Sequence, residues 1–339
     1  ADQALLSCGA VNAVRGPQAP IEELNYIYNH SDSRFLITDS TKMLEKLYPQ
    51  LSSSLPEFII LLSEENVKDK YNVPVYMFNE IIEMGKNLPF TPVEIEKDDI
   101  ATIVYSSGTT GKPKGIMLTQ GNIASQLNNI HPALNAEFPS KALNVLPIWH
   151  MYERTCEYYL FSCGCSLYYT NVRNFKKDMK QYKPNYIVSV PRLWEAIYEG
   201  ICCEVKAKDA FTQKMFEFFI NTSKKHKKSK RIHSNKCIDN LNSSILKKIT
   251  AKIHDITLYP VHIFADIMLY SKIREAISED LIKGISGGGA LARHIEDFYE
   301  AINVNICVGY GLTETAPVLS LRRPENNKIY SVGQPLPET

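Results

Sequence analysis

An α/β fold built on a mainly parallel sheet is what this chain of 339 residues predicts, and three observations carry that reading. Short apolar, β-branched runs recur at 35–38, 58–62, 100–105, 142–146, 166–170, 186–190, 282–285 and 305–308. Between them lie segments with helical spacing, such as Ile21, Leu24 and Ile27, or Leu193, Ile197, Ile201 and Val205. Strands that alternate with helices imply βαβ units. Glycine-rich turns then follow directly on three of the runs, at 106–115, 286–289 and 309–311.

Taken in order, residues 9–16 read as a small-residue strand and turn, and the Ile21 helix follows. A helix at 43–48 separates the first two strands. The linker 88–99, which holds Pro89 and Pro92, delivers the chain to the run at 100–105. Residues 115–118 read as another strand. Thr119 suits the N-cap of a helix with Ile123, Leu127 and Ile130 on one face. The strand at 142–146 runs into Pro-Ile-Trp-His-Met-Tyr-Glu-Arg at 147–154, and a helix with Tyr158, Tyr159 and Phe161 comes next. Residues 210–278 read as mostly helical, interrupted by Lys-Lys-His-Lys-Lys-Ser-Lys-Arg at 224–231. A solvated helix end or mobile loop is the first reading of that basic run. An anionic membrane surface, an acidic protein partner and a nuclear-localisation signal are the alternatives. A last helix carries Leu291, Ile295, Phe298 and Ile302 on one face.

Composition sets bounds on the function. Hydrophobic residues make up 44% and charged residues 22% of the chain, as in ordinary globular proteins. The length suggests roughly two domains. Net charge is +1, so no global field argues for nucleic acid. The eight cysteines include no C-x-x-C pair. Cys163 and Cys165 lack a second ligand pair nearby, and reduced thiols in an intracellular compartment are the expected state. No apolar run approaches the roughly 18 to 20 residues of a spanning helix; the best, 257–271, is interrupted by Pro260, His262 and Asp266. There is no signal-peptide pattern. The chain begins at Ala1 without Met and stops at Thr339 with no terminating element, so it reads as part of something longer.

The loop after 100–105 concentrates hydrogen-bond donors. Ser106, Ser107, Thr109 and Thr110 supply hydroxyls, Gly108 and Gly111 let backbone approach a ligand, and Lys112 and Lys114 add charge. The natural guest is a polyphosphate. A Walker loop would need G-x-x-x-x-G-K-[ST] running into a helix, but Pro113 follows Lys112 and a strand follows Gly115. Downstream, Gly287, Gly288 and Gly289 sit at a strand-to-helix turn and leave no side chain to obstruct a flat or anionic ligand. Tyr310 offers a ring for stacking, Thr313 a hydroxyl and Glu314 a carboxylate of the kind that holds Mg²⁺ beside phosphates.

Residues 105–115 resemble the phosphate loop of the adenylate-forming superfamily, which includes acyl-CoA synthetases, luciferases and peptide-synthetase adenylation domains. Segments 147–154, 286–291 and 309–317 resemble the second, third and fourth signature segments of fatty-acyl-activating enzymes, and 9–16 an earlier, weaker one. Residues 146–158 look like the long-chain branch. Residues 182–192 and 285–324 most resemble plant and cyanobacterial long-chain acyl-[acyl-carrier-protein] synthetases.

The resemblance implies two packed βαβ-type subdomains of a large N-terminal domain, with the C-terminal small domain absent. An approximate subdivision is 1–98, 99–209 with the phosphate loop and acyl site, 210–278 helical with the basic run, and 279–339 with the adenine and metal site. It implies ATP and Mg²⁺, a long-chain fatty acid, and CoA or acyl carrier protein as acceptor. It also implies an acyl-AMP intermediate, no nucleic acid, and a possible peripheral membrane contact, and it leaves the oligomeric state open. Ser106, Ser107, Gly108, Thr109, Thr110, Gly111 and Lys112 would cradle the β- and γ-phosphates. Gly288, Gly289 and Ala290 would flank adenine, with Tyr310 and Gly311 against it. Thr313 would contact the α-phosphate, Glu314 would hold Mg²⁺, and His150 would lie beside the acyl carboxylate. The ribose-binding Asp, the basic hinge and the catalytic Lys of such enzymes would all follow Thr339. Two other readings compete: a nucleotide and acyl pocket without turnover, and a basic interaction module working through 224–231. The compartment expected is the plastid for a plant or alga, otherwise the cytoplasm or a membrane periphery.

Overall fold

The computed structural model describes all residues except 52, 53, 66, 107–111, 241, 242, 338 and 339. It divides into two compact units, Ala1–Ile123 and Ala124–Thr339.

In the first unit α1 (Asp2–Ser7) and α2 (Ile21–His30) precede β1 (Phe35–Thr38), α3 (Thr41–Leu47), β2 (Phe58–Leu61), β3 (Val75–Met77) and α4 (Phe78–Lys86). The three strands pair in parallel in the order β1-β2-β3, with Phe35 opposite Phe58 and Ile59 opposite Val75. Ser40 starts α3, its Oγ accepting from the Met43 N–H at 3.3 Å. Leu44 on α3 then packs on Ile59, Leu61 and Val75, all buried. The linker 88–99 is exposed and without regular structure. It leads into β4 (Ile100–Ser106), which pairs antiparallel with β5 (Lys114–Thr119) in a separate two-stranded sheet. The pairing runs from Ile100 opposite Thr119 to Ser106 opposite Lys114. Residues 9–16, expected as a strand and turn, contribute only an isolated bridge, Asn12 to Thr102. Thr102 is fully buried and donates to Asn12 Oδ1 at 2.8 Å, so the contact is a polar latch on β4 rather than a strand.

The chain passes into the second unit through α5 (Gln120–Leu134). Thr119 caps it as expected: its Oγ1 accepts from the Asn122 N–H at 3.2 Å, while its own N–H donates to Asn122 Oδ1 at 3.0 Å. There follow β6 (Lys141–Asn144), α6 (Met151–Ser162), β7 (Ser166–Tyr169), α7 (Phe175–Tyr182), β8 (Tyr186–Ser189) and α8 (Pro191–Lys206). Three helices come next, α9 (Ala210–His233), α10 (Ile245–Ala265) and α11 (Ser271–Ser278). The chain closes with β9 (Lys283–Ser286), α12 (Arg293–Ala301), β10 (Ile306–Gly311), β11 (Val318–Leu321) and β12 (Gln334–Pro335). The sheet order is β12-β11-β10-β9-β8-β6-β7, parallel from β10 to β7 and antiparallel at β11 and β12. Every residue of β8 and β9 is buried. Buried on both faces, β8 reads as a near-continuous apolar run, Tyr-Ile-Val; β9, Lys-Gly-Ile-Ser, does not, and its Lys283 ammonium donates to Leu134 O.

Helices α8 and α12 pack on one side, where fully buried Trp194 meets Tyr299 edge-on at 5.4 Å. Leu193, Ile197 and Ile201 of α8 lie on the same core. The α12 helix is shorter than its apolar pattern suggests. Leu291 and Ile302 are buried but flank it, and the helix begins three residues after Ala290.

The interruption expected at 224–231 does not occur. Those residues belong to the unbroken 24-residue α9. Lysine and arginine are good helix formers, and here they sit near the C-terminal end, where the helix dipole favours cations. Part of the run also faces inward. Buried Arg231 lies 3.0 Å from Asp297, with Tyr330 beneath its guanidinium at 5.1 Å, and His226 and Ser229 are buried too. A mobile loop could offer none of these contacts; of the two forms of the first reading, the helix end is the one observed, though it is only partly solvated.

Candidate functional site

In a parallel sheet all strands end at one edge, and ligands of open α/β sheets bind beyond the strands' carboxyl ends. Three of the segments singled out in the sequence leave the second unit's sheet at that edge: 147–154 after β6, 287–290 after β9, and the stretch from Gly309 to Pro317 at the end of β10.

The α6 helix ties them together. His150 is its N-cap residue and is exposed, its ring 6.2 Å from that of Trp149. Two residues on, the Tyr152 hydroxyl donates to Ser189 O at 3.1 Å. A Cβ added to Gly287 would come within 2.8 Å of the Tyr152 ring, so only glycine lets the 287–289 turn lie against it. Thr155, fully buried one turn later, donates to Ala316 O at 3.2 Å.

Gly288 has φ +74°, a left-handed conformation natural to glycine. Gly288, Gly289 and Ala290 are exposed along the sheet edge. Tyr310 is half-exposed and sits opposite Ser320 where the β10–β11 register shifts. Behind the bulge, a Cβ on Gly311 would meet Pro317 O at 1.8 Å; no other residue fits. Thr313 and Glu314 then form a short 3₁₀ turn, with Glu314 exposed. That turn is held from below. Gln126 on α5 donates to Thr315 O at 3.3 Å and Val318 O at 3.1 Å, and accepts from the Val318 N–H at 3.0 Å.

Glu153, on the same α6, is fully buried. Its carboxyl faces Asn144 and the Leu146 backbone but closes no hydrogen bond of good geometry with either. Burial first, and then the neighbouring Glu157, push it up to about 9, opposed by Asn144 and Leu146. It is therefore protonated at neutral pH. Asn144, Ser189 and Ser286, at the carboxyl ends of three adjacent strands, all bury side-chain polar atoms without partners among the described residues.

The described ends of the candidate phosphate loop, Ser106 and Lys112, belong to the first unit. Ser106 ends β4 and Lys112 is exposed, its Nζ 5.8 Å above the Tyr26 ring. Ser107, Gly108, Thr109, Thr110 and Gly111 lie outside the described residues. A strand, β5, follows the loop where a Walker loop would have a helix. Near the carboxyl end of β4 the Tyr105 hydroxyl is 2.9 Å from His30 Nδ1.

No group of three or more His, Cys, Asp and Glu side chains able to hold a metal occurs among the described residues. One exposed carboxylate on a clamped turn suits Mg²⁺, which keeps several waters and takes substrate phosphates rather than an all-protein cage. Glu314 fits that pattern.

Sequence reasoning missed Tyr152, Glu153, Thr155 and Gln126. Gln126 did carry a signal, as a lone polar residue among Ile123, Leu127 and Ile130 on the apolar face of α5. Replacing it with leucine should leave the buried Val318 amide and carbonyl unpaired, at a cost of about 2 kcal/mol. Hydrogen exchange at the Val318 amide should rise by more than that of β8. Unchanged protection there would remove Gln126 as the clamp.

The AMP-binding enzyme family model matches residues 1–339. The chain is 38% identical over its whole length to the probable acyl-activating enzyme 16, chloroplastic, of Arabidopsis thaliana. It is 36% identical over 99% of its length to a long-chain-fatty-acid–[acyl-carrier-protein] ligase, chloroplastic, of the same plant. It spans about half the length of these relatives, 50% and 49%. Among solved structures, a long-chain-fatty-acid-CoA ligase from Archaeoglobus fulgidus superposes with a TM-score of 0.65 at 17% identity, over 99% of this chain and 54% of that one. An anthranilate CoA ligase in complex with anthranoyl-AMP gives 0.65 at 16% identity, over 99% and 52%. At such identities the likeness speaks for the fold, and the α/β architecture matches the N-terminal domain of adenylate-forming enzymes. With its entire length matched by the family model, the chain belongs to the AMP-binding enzymes.

Proposed function

We propose that this chain forms the nucleotide- and acyl-binding part of a ligase that activates long-chain fatty acids. The acyl carboxylate attacks the α-phosphate of ATP, pyrophosphate leaves, and acyl-AMP then passes its acyl group to a thiol with release of AMP. The observation that carries the reading is the meeting of 147–154, 287–290 and 309–317 at one sheet edge, tied by Tyr152 and Thr155.

The 287–290 backbone, bare of side chains, would receive adenine, with Tyr310 and Gly311 against it. Thr313 would donate to the α-phosphate, and His150 would orient the acyl carboxylate. Ser106 to Lys112 would hold the leaving phosphates. Mg²⁺ held at Glu314 would neutralise phosphate charge. The protein's own work is positioning reactants in line and placing donors where charge develops.

Relatives named for carrier-protein and for CoA ligation support both acceptors, and the higher identity of the first supports the carrier protein. The word chloroplastic in the names of two relatives supports a plastid location.

ATP titration in the presence and absence of Mg²⁺, with pyrophosphate release on adding a long-chain fatty acid, tests the reading. Glu314→Gln should weaken Mg²⁺-dependent ATP binding by about tenfold, the effect of losing one charge-assisted contact, and leave melting unchanged. ATP binding without pyrophosphate release would favour the binding-only reading. Equal ATP affinity in Glu314→Gln would remove Glu314 from the site.

A further inference from the structure

The α9–α10 pair is built with its polarity reversed. Between the two helices lies a polar network. His226 Nδ1 and His233 Nε2 sit 2.9 and 2.7 Å from the two Asp255 oxygens. His262 Nδ1 lies 2.9 Å from Ser223 Oγ, which also receives the Tyr270 hydroxyl at 2.8 Å. The buried face of α10 is thus Ala251, His262 and Ala265, with Asp255 beside them.

The opposite face is apolar and bare. Ile245, Ile249, Ile253, Ile256 and Ile263 fall within an arc of about 80° at 3.6 residues per turn, and Ile267 continues the stripe beyond the helix end. The most exposed, Ile245, is 77% accessible and the least, Ile263, still 37%. A surface helix of a globular protein turns such a stripe to the core; this one turns it outward along about 30 Å of helix.

The surroundings are cationic. Together α9 and α10 carry ten lysines and arginines against two acids, Glu217 and Asp255, in a chain whose net charge is only +1. Asp255 is already engaged by His226 and His233. Lys248 and Lys252 border the stripe on α10 itself. A groove of about 320 Å³ between the helices is lined by Lys225, Lys228, Ser229, Ile232, His254 and Leu258. No described helix is long and apolar enough to cross a membrane.

From this arrangement we propose that α10 lies in the plane of an anionic phospholipid surface, its isoleucines in the acyl boundary and its lysines among the headgroups. One occupant then meets both needs, since an apolar stripe wants a water-free medium and the lysines want anions. In-plane helices with a basic polar face and an apolar stripe bind in this way, with an electrostatic contribution from anionic lipid.

Co-sedimentation of the chain with vesicles of pure phosphatidylcholine, and of phosphatidylcholine with about a third phosphatidylglycerol, tests the proposal. The chain should partition onto the anionic vesicles about tenfold more strongly, and added salt should weaken it. The triple variant Ile249→Gln/Ile253→Gln/Ile256→Gln should lose about tenfold or more on the anionic vesicles. Lys248→Gln/Lys252→Gln should lose the preference for anionic lipid. All five side chains lie outside the core, so melting curves should coincide with that of the parent and show that the variants fold. Three results would overturn the proposal. The first is vesicle binding unaffected by the isoleucine variant. The second is no vesicle binding together with a dimer that the isoleucine variant dissolves, which assigns the face to a second copy. The third is no vesicle binding with salt-sensitive binding to an acidic carrier protein, which assigns it to that partner.

Discussion

Arg322→Ala should destabilise the second unit by about 3–5 kcal/mol, the range for removing one member of a buried ion pair. The Arg322 and Glu296 side chains are 2% and 6% exposed. They meet in two-point fashion, Nη1 to Oε2 at 2.5 Å and Nη2 to Oε1 at 3.2 Å. Arg322 Nε also donates to Ser331 O at 2.6 Å, and the Tyr330 N–H donates to Glu296 Oε2 at 3.2 Å. Without the guanidinium, Glu296 keeps a single backbone donor for a buried carboxylate. Thermal unfolding should show a fall of roughly 10 °C, given the usual conversion for a unit of this size. The same pair ties α12 to the end of β11, and the Arg322 N–H also donates to Val308 O on β10 at 3.1 Å. ATP binding should therefore weaken alongside stability, because β10 carries Tyr310 and Gly311. The double variant Glu296→Leu/Arg322→Met removes both charges at similar volume and should recover most of the loss. If it melts as low as the single variant, shape rather than the unpaired charge is the cause.

What the sequence made legible follows from the reach of each signal. The strands β1, β2 and β8 were readable because an apolar, β-branched run is a local signal, and β9, Lys-Gly-Ile-Ser, through the glycine turn that follows it. The stripes of α2, α5 and α8 and the Thr119 cap of α5 were readable because helical spacing and capping are local. The turns at 287–289 and 309–317 were visible through glycines whose need is steric, such as Gly311 against Pro317. Contacts between distant segments left no such trace. Gln126 reaches Val318, 192 residues away, and Thr155 reaches Ala316 across 161; Gln126 stands out as a polar residue on an apolar face, but nothing local names its partner. The basic run at 224–231 misled for the opposite reason. Its composition reads as a solvated helix end or mobile loop, and the partners that turn part of it inward, Asp297 and Tyr330 around Arg231, lie far along the chain. The outward stripe of α10 was hidden too. A helical apolar pattern says that a face exists, not which way it points.

Glu153→Gln should flatten the dependence of stability on pH and raise stability at neutral pH. The native carboxyl, pushed up to about 9 by burial and then by Glu157, holds its proton through the physiological range. In the unfolded chain the same carboxyl titrates near the ordinary glutamate value of about 4.3. Between those two values the native state binds more protons than the unfolded state, so stability falls as pH rises. The contribution is intact below the unfolded value and is progressively lost on the way to about 9. At pH 7 the loss is on the order of 4 kcal/mol, from roughly 2.7 pH units above the unfolded value. Glutamine has nearly the same shape as the protonated acid and no proton to release, and Asn144 and the Leu146 backbone remain to receive it. Chemical denaturation at about pH 5, 7 and 8.5 should give a falling series for the parent and a level one for the variant. A parallel fall in both would mean that Glu153 is ionised in the native state, and its place beside the unpartnered Asn144 would then need a counter-charge that the described residues do not supply.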